Sequence, residues 1–303
     1  MELNQLKTFV TVAEEQHLTR AAELLYTSQP AVSAQLKALE ESLGVVLFDR
    51  TPKGMKLTPS GEKLLVEAQA ALEAASRVMS QAKAIQGAVI GSLSVGVNSD
   101  FSFLRIPELL ADVSERYPNL QLSFINGMSP DILLDIRKGK LDSGFFFGPS
   151  STIDIHFIQL AEIETAIVAP ISWADKVMHA SLEELASLPW VYTTERCPFY
   201  HITEALFNDL NLEPRKAVFV DNEEAMRALV KAGSGVALMR FDDADRAEAE
   251  GWGARWNGES PSLPLSIAAQ SRRAQEPIIQ AWFDALLKAW SIDNTEVQNQ
   301  KAG

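Results

Sequence analysis

The sequence predicts an α/β protein in three successive parts: a short helical unit, one long helix, and a larger unit in which strands and helices alternate. Apolar residues recur at helical spacing over the first 43 residues, and no Gly or Pro interrupts residues 62–86. From residue 92 onward, short apolar runs alternate with amphipathic segments. The 303 residues exceed the usual size of one domain, and we place the main boundary at Gly87.

Two short amphipathic helices are predicted at the start of the chain. The stretch LNQLKTFVTVAEE places its apolar residues on one side of a helix, and HLTRAAELLYT does the same a few residues later, with Thr19 as the N-cap. A tight turn then leads to the next apolar stretch, which is typical of two helices joined as a helix-turn-helix.

The third helix is predicted to begin after Ser28, with a Pro in its first turn, and to end at Gly44. Its apolar residues face inward and leave polar side chains near its exposed start, namely Gln29, Ser33, Gln35 and Lys37. In a helix-turn-helix, this second helix of the pair enters the major groove of DNA. Gln can make a bidentate contact to adenine and Ser can bond several base edges, so these residues are suited to reading base sequence.

A short hairpin is predicted directly after the third helix. Two apolar stretches flank RTPKG in VVLFDRTPKGMKLT, with Pro and Gly as turn residues. Arg50, Lys53 and Lys56 then project towards phosphates or a minor groove and form a local basic face. Residues 1–58 are therefore predicted to be a winged helix-turn-helix domain that binds DNA.

The charge of the chain is distributed unevenly. The formal net charge is −13, yet residues 1–65 hold seven Lys or Arg and eight Asp or Glu, so all but one unit of the excess negative charge lies beyond them. Charges farther away than a Debye length of about 8 Å are largely screened at physiological ionic strength. An acidic protein of this kind can therefore still hold DNA on one local basic face.

A long helix is predicted between the two units. Thr58 and Glu62 are typical of a capped helix start, and apolar residues recur at alternating spacings of three and four from Leu65 to Ala82, which is the heptad pattern of a coiled coil. A helix over 59–87 would span on the order of 40 Å. That length suits a dimerisation arm between two DNA-reading heads; the alternative is a core helix of a larger domain.

Residues 88–303 are predicted to form a unit of alternating strands and helices. Its first elements are strand 92–98, helix 103–116, strand 120–126, helix 129–138 and strand 142–147. A similar run continues to a final helix at 275–290. This alternation predicts a mainly parallel sheet flanked by helices.

Composition and motifs argue against several classes of protein. The chain has the composition of an ordinary globular protein, its longest apolar runs are far shorter than a membrane-spanning helix needs, and no secretory signal pattern opens it. A cytoplasmic protein that does not enter the membrane is therefore expected. One cysteine and four scattered histidines predict no disulfide, no metal site and no other cofactor.

Two other functions compete with sequence-specific DNA binding. An enzyme is not expected, because the chain has no phosphate-binding GxxxxGKS/T motif, no GxSxG nucleophile elbow and no acid/base pair at motif spacing. A nonspecific architectural DNA binder would not need the polar third helix or the hairpin.

The chain resembles the LysR-type transcriptional regulators. The resemblance is specific over residues 6–65, from LKTFVTVAEE to SGEKLL, and looser over residues 88–290, where YPNLQLSF, LLDIRKGKLDSGFF and LVKAGSGVALM are similar to landmarks of the family's effector domain. The resemblance implies a winged helix-turn-helix, a linker helix, and two Rossmann-like subdomains similar to type 2 periplasmic binding proteins. We place subdomain I at about 88–161 and 268–303, and subdomain II at about 162–267.

The resemblance also implies partners and site residues. It implies a homotetramer, assembled as a dimer of dimers, that binds double-stranded promoter DNA at a partly palindromic operator, acts with RNA polymerase and responds to a small-molecule effector. The residues that match the family's groove-reading and wing positions are Gln29, Pro30, Ser33, Arg50 and Lys53. The next groove position, often Arg in relatives, is Ala34, which removes one candidate guanine reader; Gln35 or Lys37 could substitute for it.

An effector site is predicted between the two subdomains, because ligands of open α/β folds bind outside the carboxyl ends of strands. Four loops there, NSDFSF, GMS, FFGP and ERCPFYH, carry the candidate effector-binding residues Ser99, Asp100, Ser102, Ser129, Phe147, Cys197 and Tyr200. The serines lie at helix starts, where free N–H groups favour an anion, although each could equally be a plain helix cap. Asp100 would oppose a simple anion and select an amine or hydroxyl.

Cys197 offers a second mode of control. Its thiol lies next to Arg196 in the sequence, so it could have a lowered pKa and form a reversible sulfenic acid or mixed disulfide, giving a redox-responsive regulator. The family's peroxide sensors use a cysteine pair, which this chain lacks. A structural or cleft-lining cysteine is the competing interpretation.

Overall fold

The structure is a computed structural model that describes residues 1–51, 54–85, 89–149, 154–208 and 210–292; the side chains of Arg50 and of several residues between 73 and 85 also lie outside this description. The chain divides into two units, Met1–Gly87 and Ala88–Gly303, and each has its own hydrophobic core.

Three helices form the core of the first unit: α1 (Leu3–Glu15), α2 (Leu18–Leu24) and α3 (Gln29–Leu43). Their apolar stripes meet as the sequence predicts. The buried residues of this core include Phe9, Val12, Val32, Leu36 and Leu39.

The ends of α3 follow the predicted signals, whereas the start of α2 does not. The Ser28 hydroxyl accepts a backbone N–H of the first turn of α3 at 3.4 Å, and Gly44 ends the helix with a left-handed φ of 70°. The predicted cap of α2 is wrong, because His17 precedes the helix and Thr19 lies inside it. The helix begins at Leu18, whose side chain packs on the core.

A two-stranded hairpin follows α3. Its strands β1 (Phe48–Thr51) and β2 (Gly54–Leu57) pair antiparallel, as predicted. The backbone N–H of Met55 donates to the carbonyl oxygen of Gln16 at 2.8 Å. The hairpin is thereby fixed to the loop between α1 and α2.

The long helix α4 spans Pro59–Ile85. Its start is capped as predicted, because the Thr58 hydroxyl accepts a backbone N–H of the first turn at 2.9 Å. Part of the heptad pattern serves the fold of this unit: Ala68 is buried, and Leu65 and Leu72 pack against the core formed by α1 to α3. The first half of the predicted seam therefore holds α4 to its own unit.

The second unit alternates strands and helices. Up to residue 170 the elements are β3 (Gly91–Val97), α5 (Ile106–Arg116), β4 (Leu120–Asn126), α6 (Ser129–Arg137), β5 (Ser143–Phe147) and β6 (Ile155–Pro170). Those that follow are α7 (Ala174–Val177), α8 (Leu182–Ser187), β7 (Pro189–Thr193), α9 (Pro198–Asn208), β8 (Arg215–Val220), α10 (Glu223–Lys231), β9 (Ala237–Arg240), α11 (Phe241–Ala249), β10 (Gly253–Arg255), β11 (Ser262–Gln270) and α12 (Pro277–Ala289).

The strands of this unit form mixed rather than mainly parallel sheets, which corrects the prediction. Strand β3 is parallel to β4 and β5, whereas β11 runs antiparallel to β5 and β6. The carboxyl-terminal part of β6 pairs antiparallel with β9 and β10, and β7 pairs in parallel with β8. The reason is that β6 carries the chain from one half of the unit to the other and β11 carries it back, so the two strands run in opposite directions.

We call the half built on β3, β4 and β5 lobe I and the half built on β7 to β10 lobe II. Trp282 of α12 is fully buried in the core beneath the lobe I sheet, and Trp190 of β7 is fully buried in lobe II. Each lobe is therefore packed around its own interior.

Three elements of lobe II, α7, α11 and β10, were not predicted. Five of the nine residues of α11, FDDADRAEA, are charged, and the helix buries only Asp243, Ala244 and Ala247. It therefore lacks the large apolar residues whose spacing identifies a helix in the sequence.

Candidate DNA interface and effector cleft

Polar side chains lie near the start of α3. Gln29 and Pro30 are exposed, and Ser33 is half-buried. The Lys37 side chain is 78% exposed and pairs with Glu41 at 3.7 Å. An exposed pair of this kind contributes little free energy, so the Lys37 ammonium group can readily exchange its partner for a phosphate.

The Gln35 side chain is bonded to α1. The hydroxyl of Thr8, which is buried, donates a hydrogen bond to Gln35 Oε1. Bidentate reading of adenine needs both the carbonyl and the NH2 group of the amide. The contact with Thr8 therefore favours use of the NH2 group, a restriction that the sequence did not reveal.

The hairpin that forms the predicted wing makes a close backbone approach at Gly54. Its φ is 125°, and a Cβ at this position would lie 2.3 Å from the carbonyl oxygen of Gln16. Lys56 is exposed on the hairpin. The other predicted wing contacts, Lys53 and the side chain of Arg50, lie outside the described residues.

A cavity of about 570 Å³ lies between lobe I and lobe II. Residues at or just beyond the carboxyl ends of β3, β4 and β5 line it from lobe I, and those of β7, β8 and β9 line it from lobe II. This is the position at which α/β folds bind ligands. The apolar part of the lining includes Val97, Met128, Phe147, Phe199, Met226 and Leu238.

The predicted effector-binding residues fall into two groups. Those that line the cavity are Ser99, Asp100, Ser129, Phe147 and Cys197. Ser102 is outside the lining and exposed in the turn before α5. Tyr200 is also outside it: its hydroxyl accepts from Lys216 Nζ at 3.1 Å and its ring packs against Tyr192. Successive residues of a helix point about 100° apart, so Phe199 faces the cavity and Tyr200 the interior of lobe II.

Ser129 connects three elements of lobe I. Its buried Oγ accepts the backbone N–H of Phe147 at 3.0 Å and Asn98 Nδ2 at 3.1 Å. The hydroxyl thereby joins the start of α6 to the ends of β3 and β5. Its acceptor capacity is used within the fold, so it meets a ligand as a donor.

Arg240, at the end of β9, is the most highly bonded side chain of the cleft and is only 1% exposed. Its Nε and Nη2 donate to the two oxygens of Asp242 at 2.9 and 3.1 Å. A second Nη2 bond reaches Asp100 at 3.0 Å. Its Nη1 donates to the Ser99 hydroxyl at 2.6 Å and to Glu223. All five N–H donors of the guanidinium group therefore have acceptors.

The Arg240 network joins the two lobes. Ser99 and Asp100 follow β3 of lobe I, whereas Arg240 and Glu223 belong to lobe II, and the Arg240 guanidinium also lies 3.8 Å from the ring centre of Phe103 in lobe I. Asp100 was expected to meet an amine or hydroxyl of a ligand. Its carboxylate is bonded instead to a cation of the chain itself.

The network shifts the pKa of its two lobe-bridging carboxyl groups in opposite directions. Burial raises the pKa of Asp100, but the N–H of Phe103 and the charge of Arg240 outweigh burial, and the net result is a lowered pKa. At Glu223 burial dominates, and the pKa is raised in spite of Arg240.

Cys197 does not have the electrostatic environment of a reactive thiol. Burial raises its pKa, which is the opposite of the predicted effect of Arg196. Arg196 is bonded instead to Asp131 of α6. Cys197 thus lines the cleft as a small, protonated side chain, and this geometry does not favour redox control.

The sequence analysis did not identify three charged residues of the cleft: Arg240, Glu223 and Arg227. They lie at least 120 residues from Asp100 along the chain, so no local motif joins them. A weak signal was present in ALMRFDD, where Arg follows a short apolar run at the carboxyl end of a strand.

The described residues contain no group of His, Cys, Asp or Glu that could hold a metal ion. Their helices include none with the length and apolar character of a membrane span.

Two family models match the chain. The model of the bacterial regulatory helix-turn-helix protein, lysR family, matches residues 3–62, and that of the LysR substrate binding domain matches residues 86–291. Among curated proteins, the HTH-type transcriptional regulator TfdS of Cupriavidus pinatubonensis is 30% identical over 247 residues, covering 79% of this chain and 82% of that protein. The uncharacterized HTH-type transcriptional regulator YraN of Bacillus subtilis is 30% identical over 228 residues, covering 74% of this chain and 75% of that protein.

Solved structures of full-length regulators share the fold. Full-length CbnR in complex with its target DNA has a TM-score of 0.64 at 26% identity, covering 95% of this chain and 100% of CbnR. A full-length variant of OxyR from Pseudomonas aeruginosa has a TM-score of 0.71 at 26% identity, covering 95% of each chain. The helix-turn-helix with its hairpin, the long helix and the two-lobed unit with its cleft confirm the resemblance seen in the sequence, and the chain belongs to the LysR family of DNA-binding transcriptional regulators.

Proposed function

We propose that this protein regulates transcription at specific promoter sites and that a small molecule held between lobe I and lobe II controls it. The cavity of about 570 Å³ carries the proposal. Pockets for small molecules usually measure about 300–1,000 Å³ and combine apolar walls with a few polar groups. This cavity fits that description and lies within the part of the chain that matches the substrate-binding model.

The proposal assigns a role to each part of the chain. Residues 1–58 bind double-stranded DNA, residues 59–87 dimerise, and residues 88–303 bind the effector. Lobe I corresponds to subdomain I and lobe II to subdomain II. Two dimers then occupy one partly palindromic operator as a homotetramer; the family implies this assembly, and the exposed Val78 in the second half of α4 leaves apolar surface for a partner helix.

Base reading is assigned to the start of α3. Gln29, Pro30 and Ser33 read base edges, and Lys37 neutralises a phosphate. Gln35 contributes NH2 donors, because Thr8 occupies its carbonyl oxygen. Arg50 and Lys53 complete the contact through the hairpin.

Control by the effector is assigned to the Arg240 network. A ligand that enters the cleft meets Ser99, Asp100 and Glu223, all of which bond to Arg240. Ligand binding therefore changes the contacts that hold lobe I to lobe II. We propose that the resulting movement changes tetramer packing, the spacing of the DNA-reading heads and the contact with RNA polymerase. The mechanism has no chemical step, so no catalytic turnover is assigned, and it takes place in the cytoplasm with the chromosome.

The DNA half of the proposal is tested by titrating a fluorescent duplex from upstream of the protein's own gene against a scrambled duplex. We expect the wild type to prefer the promoter duplex and the double variant Gln29→Ala, Ser33→Ala to lose that preference, because each removes base-edge hydrogen bonds worth about 1–3 kcal/mol. Equal affinity of the wild type for both duplexes would contradict sequence-specific binding at this promoter.

The effector half is tested by filling the cleft. Met128 lines the cavity from lobe I. Met178 lies in lobe II outside the cavity lining and is 37% exposed, which makes Met178→Trp a matched control for Met128→Trp. In cells carrying a reporter on the same promoter, Met128→Trp should change expression or its response to growth conditions, and Met178→Trp should not. Identical behaviour of both variants and the wild type under all conditions would count against control through the cleft.

A further inference from the structure

We infer that the effector carries a protonated amine attached to an apolar group. The inference rests on the proposed function, since it takes the cleft between lobe I and lobe II as the effector site. It names the charge of the ligand, which neither the family models nor the relatives specify for this chain. Four features of the cleft support it: its guanidinium groups, its carboxylates, the starts of α6 and α10, and its apolar wall.

The guanidinium groups of the cleft are already bonded to carboxylates. All five donors of Arg240 have acceptors within the chain. Arg227 Nη1 donates to both oxygens of Asp243 at 2.9 and 3.1 Å, and the Asp243 side chain is 3% exposed. A ligand carboxylate that drew either arginine away would leave a buried carboxylate without its cation, which is strongly unfavourable.

The carboxylates of the cleft outnumber its cations. The acidic residues of the lining are Asp100, Asp221, Glu223, Glu224 and Asp243, and the basic ones are Arg227 and Arg240. The lining therefore carries a formal charge of −3. Asp221 lies exposed just before α10 and Glu224 lies in its first turn, and an ionised carboxylate only accepts hydrogen bonds, so both present acceptors to whatever enters. A cation in this field is attracted and an anion repelled.

Two of the helix starts at the cleft, those of α10 and α6, are poorly suited to an anion. The first turn of α10 contains Glu223 and Glu224, whose charges already interact with the positive end of the helix dipole. The first turn of α6 contains Pro130, which has no N–H to donate, and Asp131, which adds a negative charge. The anion-binding capacity expected of such helix starts is therefore reduced at both.

A buried acceptor and an aromatic wall favour an amine with an apolar group. Asn98 lines the cleft, and its Oδ1 is buried with no hydrogen-bond donor among the described residues, whereas its Nδ2 is bonded to Ser129. Within that part of the chain this oxygen lacks an N–H or O–H donor, which an ammonium group supplies and a carboxylate does not. Phe147 and Phe199, whose ring centroids are 5.2 Å apart, line the same cavity and offer aromatic surface to an apolar group or an ammonium ion.

The test uses three probes of nearly equal size and different charge: phenethylamine, phenylacetamide and phenylacetate. Their affinities for the full-length protein are measured by isothermal titration calorimetry at pH 7 and two salt concentrations. We expect phenethylamine to bind at least about tenfold more tightly than phenylacetate, because like charges oppose each other in the cleft. Its affinity should fall as salt is raised, since salt screens the carboxylates.

Charge-neutral variants separate the cleft from the rest of the surface. The double variant Asp221→Asn, Glu224→Gln should weaken phenethylamine binding about three- to tenfold and leave phenylacetamide unchanged, because each of these carboxylates contributes a modest amount. The matched control Glu259→Gln removes an exposed carboxylate outside the cleft and should change neither affinity. Tryptophan fluorescence of every variant, which reports residues 88–303, confirms that the second unit is folded.

The outcomes distinguish this inference from the proposed function. Phenylacetate could bind more tightly than phenethylamine and lose this binding in Met128→Trp but not in Met178→Trp. That result would overturn the positive charge of the effector but preserve the cleft as the effector site. Tighter binding of phenethylamine that is unchanged in both the cleft variant and Met128→Trp would place the amine elsewhere and overturn the inference. Binding of none of the probes would also overturn it, and the reporter comparison of the two Met variants would then decide separately whether the cleft controls the protein.

Discussion

Single residues carry the connection between the lobes, and Arg240 is the main one. Its guanidinium is almost completely buried and surrounded by Asp100, Glu223, Asp242 and the Ser99 hydroxyl. A buried cation is stable only because these acceptors replace the water that it has lost. Removing it leaves several carboxylates facing one another without a counter-charge.

We therefore predict that Arg240→Met destabilises the second unit by about 3–5 kcal/mol. Arg255→Met is the matched control, because Arg255 is 26% exposed and its pairs with Asp245 and Glu248 should contribute about 1 kcal/mol or less. All six tryptophans lie in residues 88–303, so urea unfolding followed by tryptophan fluorescence reports this unit. Equal stability of the two variants would show that the Arg240 network does not stabilise the fold.

Among the structural elements, the hairpin β1–β2 depends on a close backbone contact. Met55 N–H donates to the Gln16 carbonyl at 2.8 Å, and Gly54 has a positive φ that side chains rarely adopt. A methyl group on Gly54 would lie 2.3 Å from that same carbonyl oxygen. The position of the hairpin relative to the loop between α1 and α2 thus requires glycine.

Gly54→Ala should consequently displace the hairpin and lower the affinity for promoter DNA, with a backbone strain of about 1–3 kcal/mol. Gly44→Ala is the comparison, because Gly44 also has a positive φ but a Cβ there meets nothing within 4 Å. Fluorescence titration of the promoter duplex should show a larger decrease in affinity for Gly54→Ala than for Gly44→Ala. A decrease of equal size would mean that backbone strain alone, and not the contact with Gln16, explains the effect.

The long helix α4 shows how one pattern can serve two purposes. Its heptad spacing predicts a seam for a partner helix, yet Leu65, Ala68 and Leu72 pack on the core of their own unit. The spacing is the same in both cases because any apolar surface that contacts α4 selects one side of the helix. Residues from 75 onward are the part of the pattern that the proposed dimer uses.

At the scale of the whole molecule, the separation of charge is the main feature. The chain is strongly acidic, with a net charge of −13, but the first 65 residues are nearly neutral and present lysines at their surface. Phosphate contacts from these residues release counterions from DNA, so affinity should fall steeply with salt. The acidic remainder adds little to that dependence when it is farther away than a Debye length.

We predict that the logarithm of the DNA association constant falls linearly with the logarithm of the salt concentration. Lys37→Ala should make this negative slope less steep, by about 0.9 for each phosphate that the side chain no longer neutralises. Lys231→Ala, which removes an exposed lysine at the end of α10, should leave the slope unchanged. A less steep slope for Lys231→Ala than for Lys37→Ala would place the DNA contact on the second unit instead.

Most elements of this protein follow from the sequence by itself. Local signals fix them: Ser28 and Gly44 bound α3, Thr58 caps α4, and the alternation of apolar runs predicts the strands and helices of the second unit. These signals act within a few residues of chain, where helix and strand periodicity is written directly in the residue order. The family, and with it the DNA-binding role, also follows from the residues of the first unit.

Only the tertiary structure decided how the cleft is charged. The direction of β6 and β11, the burial of Arg240 and the contact of Asp100 with that guanidinium depend on residues 98 to 140 positions apart. The environments of Tyr200 and Cys197 were also decided by the tertiary structure. Helix α9 directs Tyr200 into lobe II. Burial raises the pKa of Cys197 although Arg196 is its neighbour in the chain. Burial and long-range pairing set the energy of a charged group, and neither is determined by the residues next to it in the sequence.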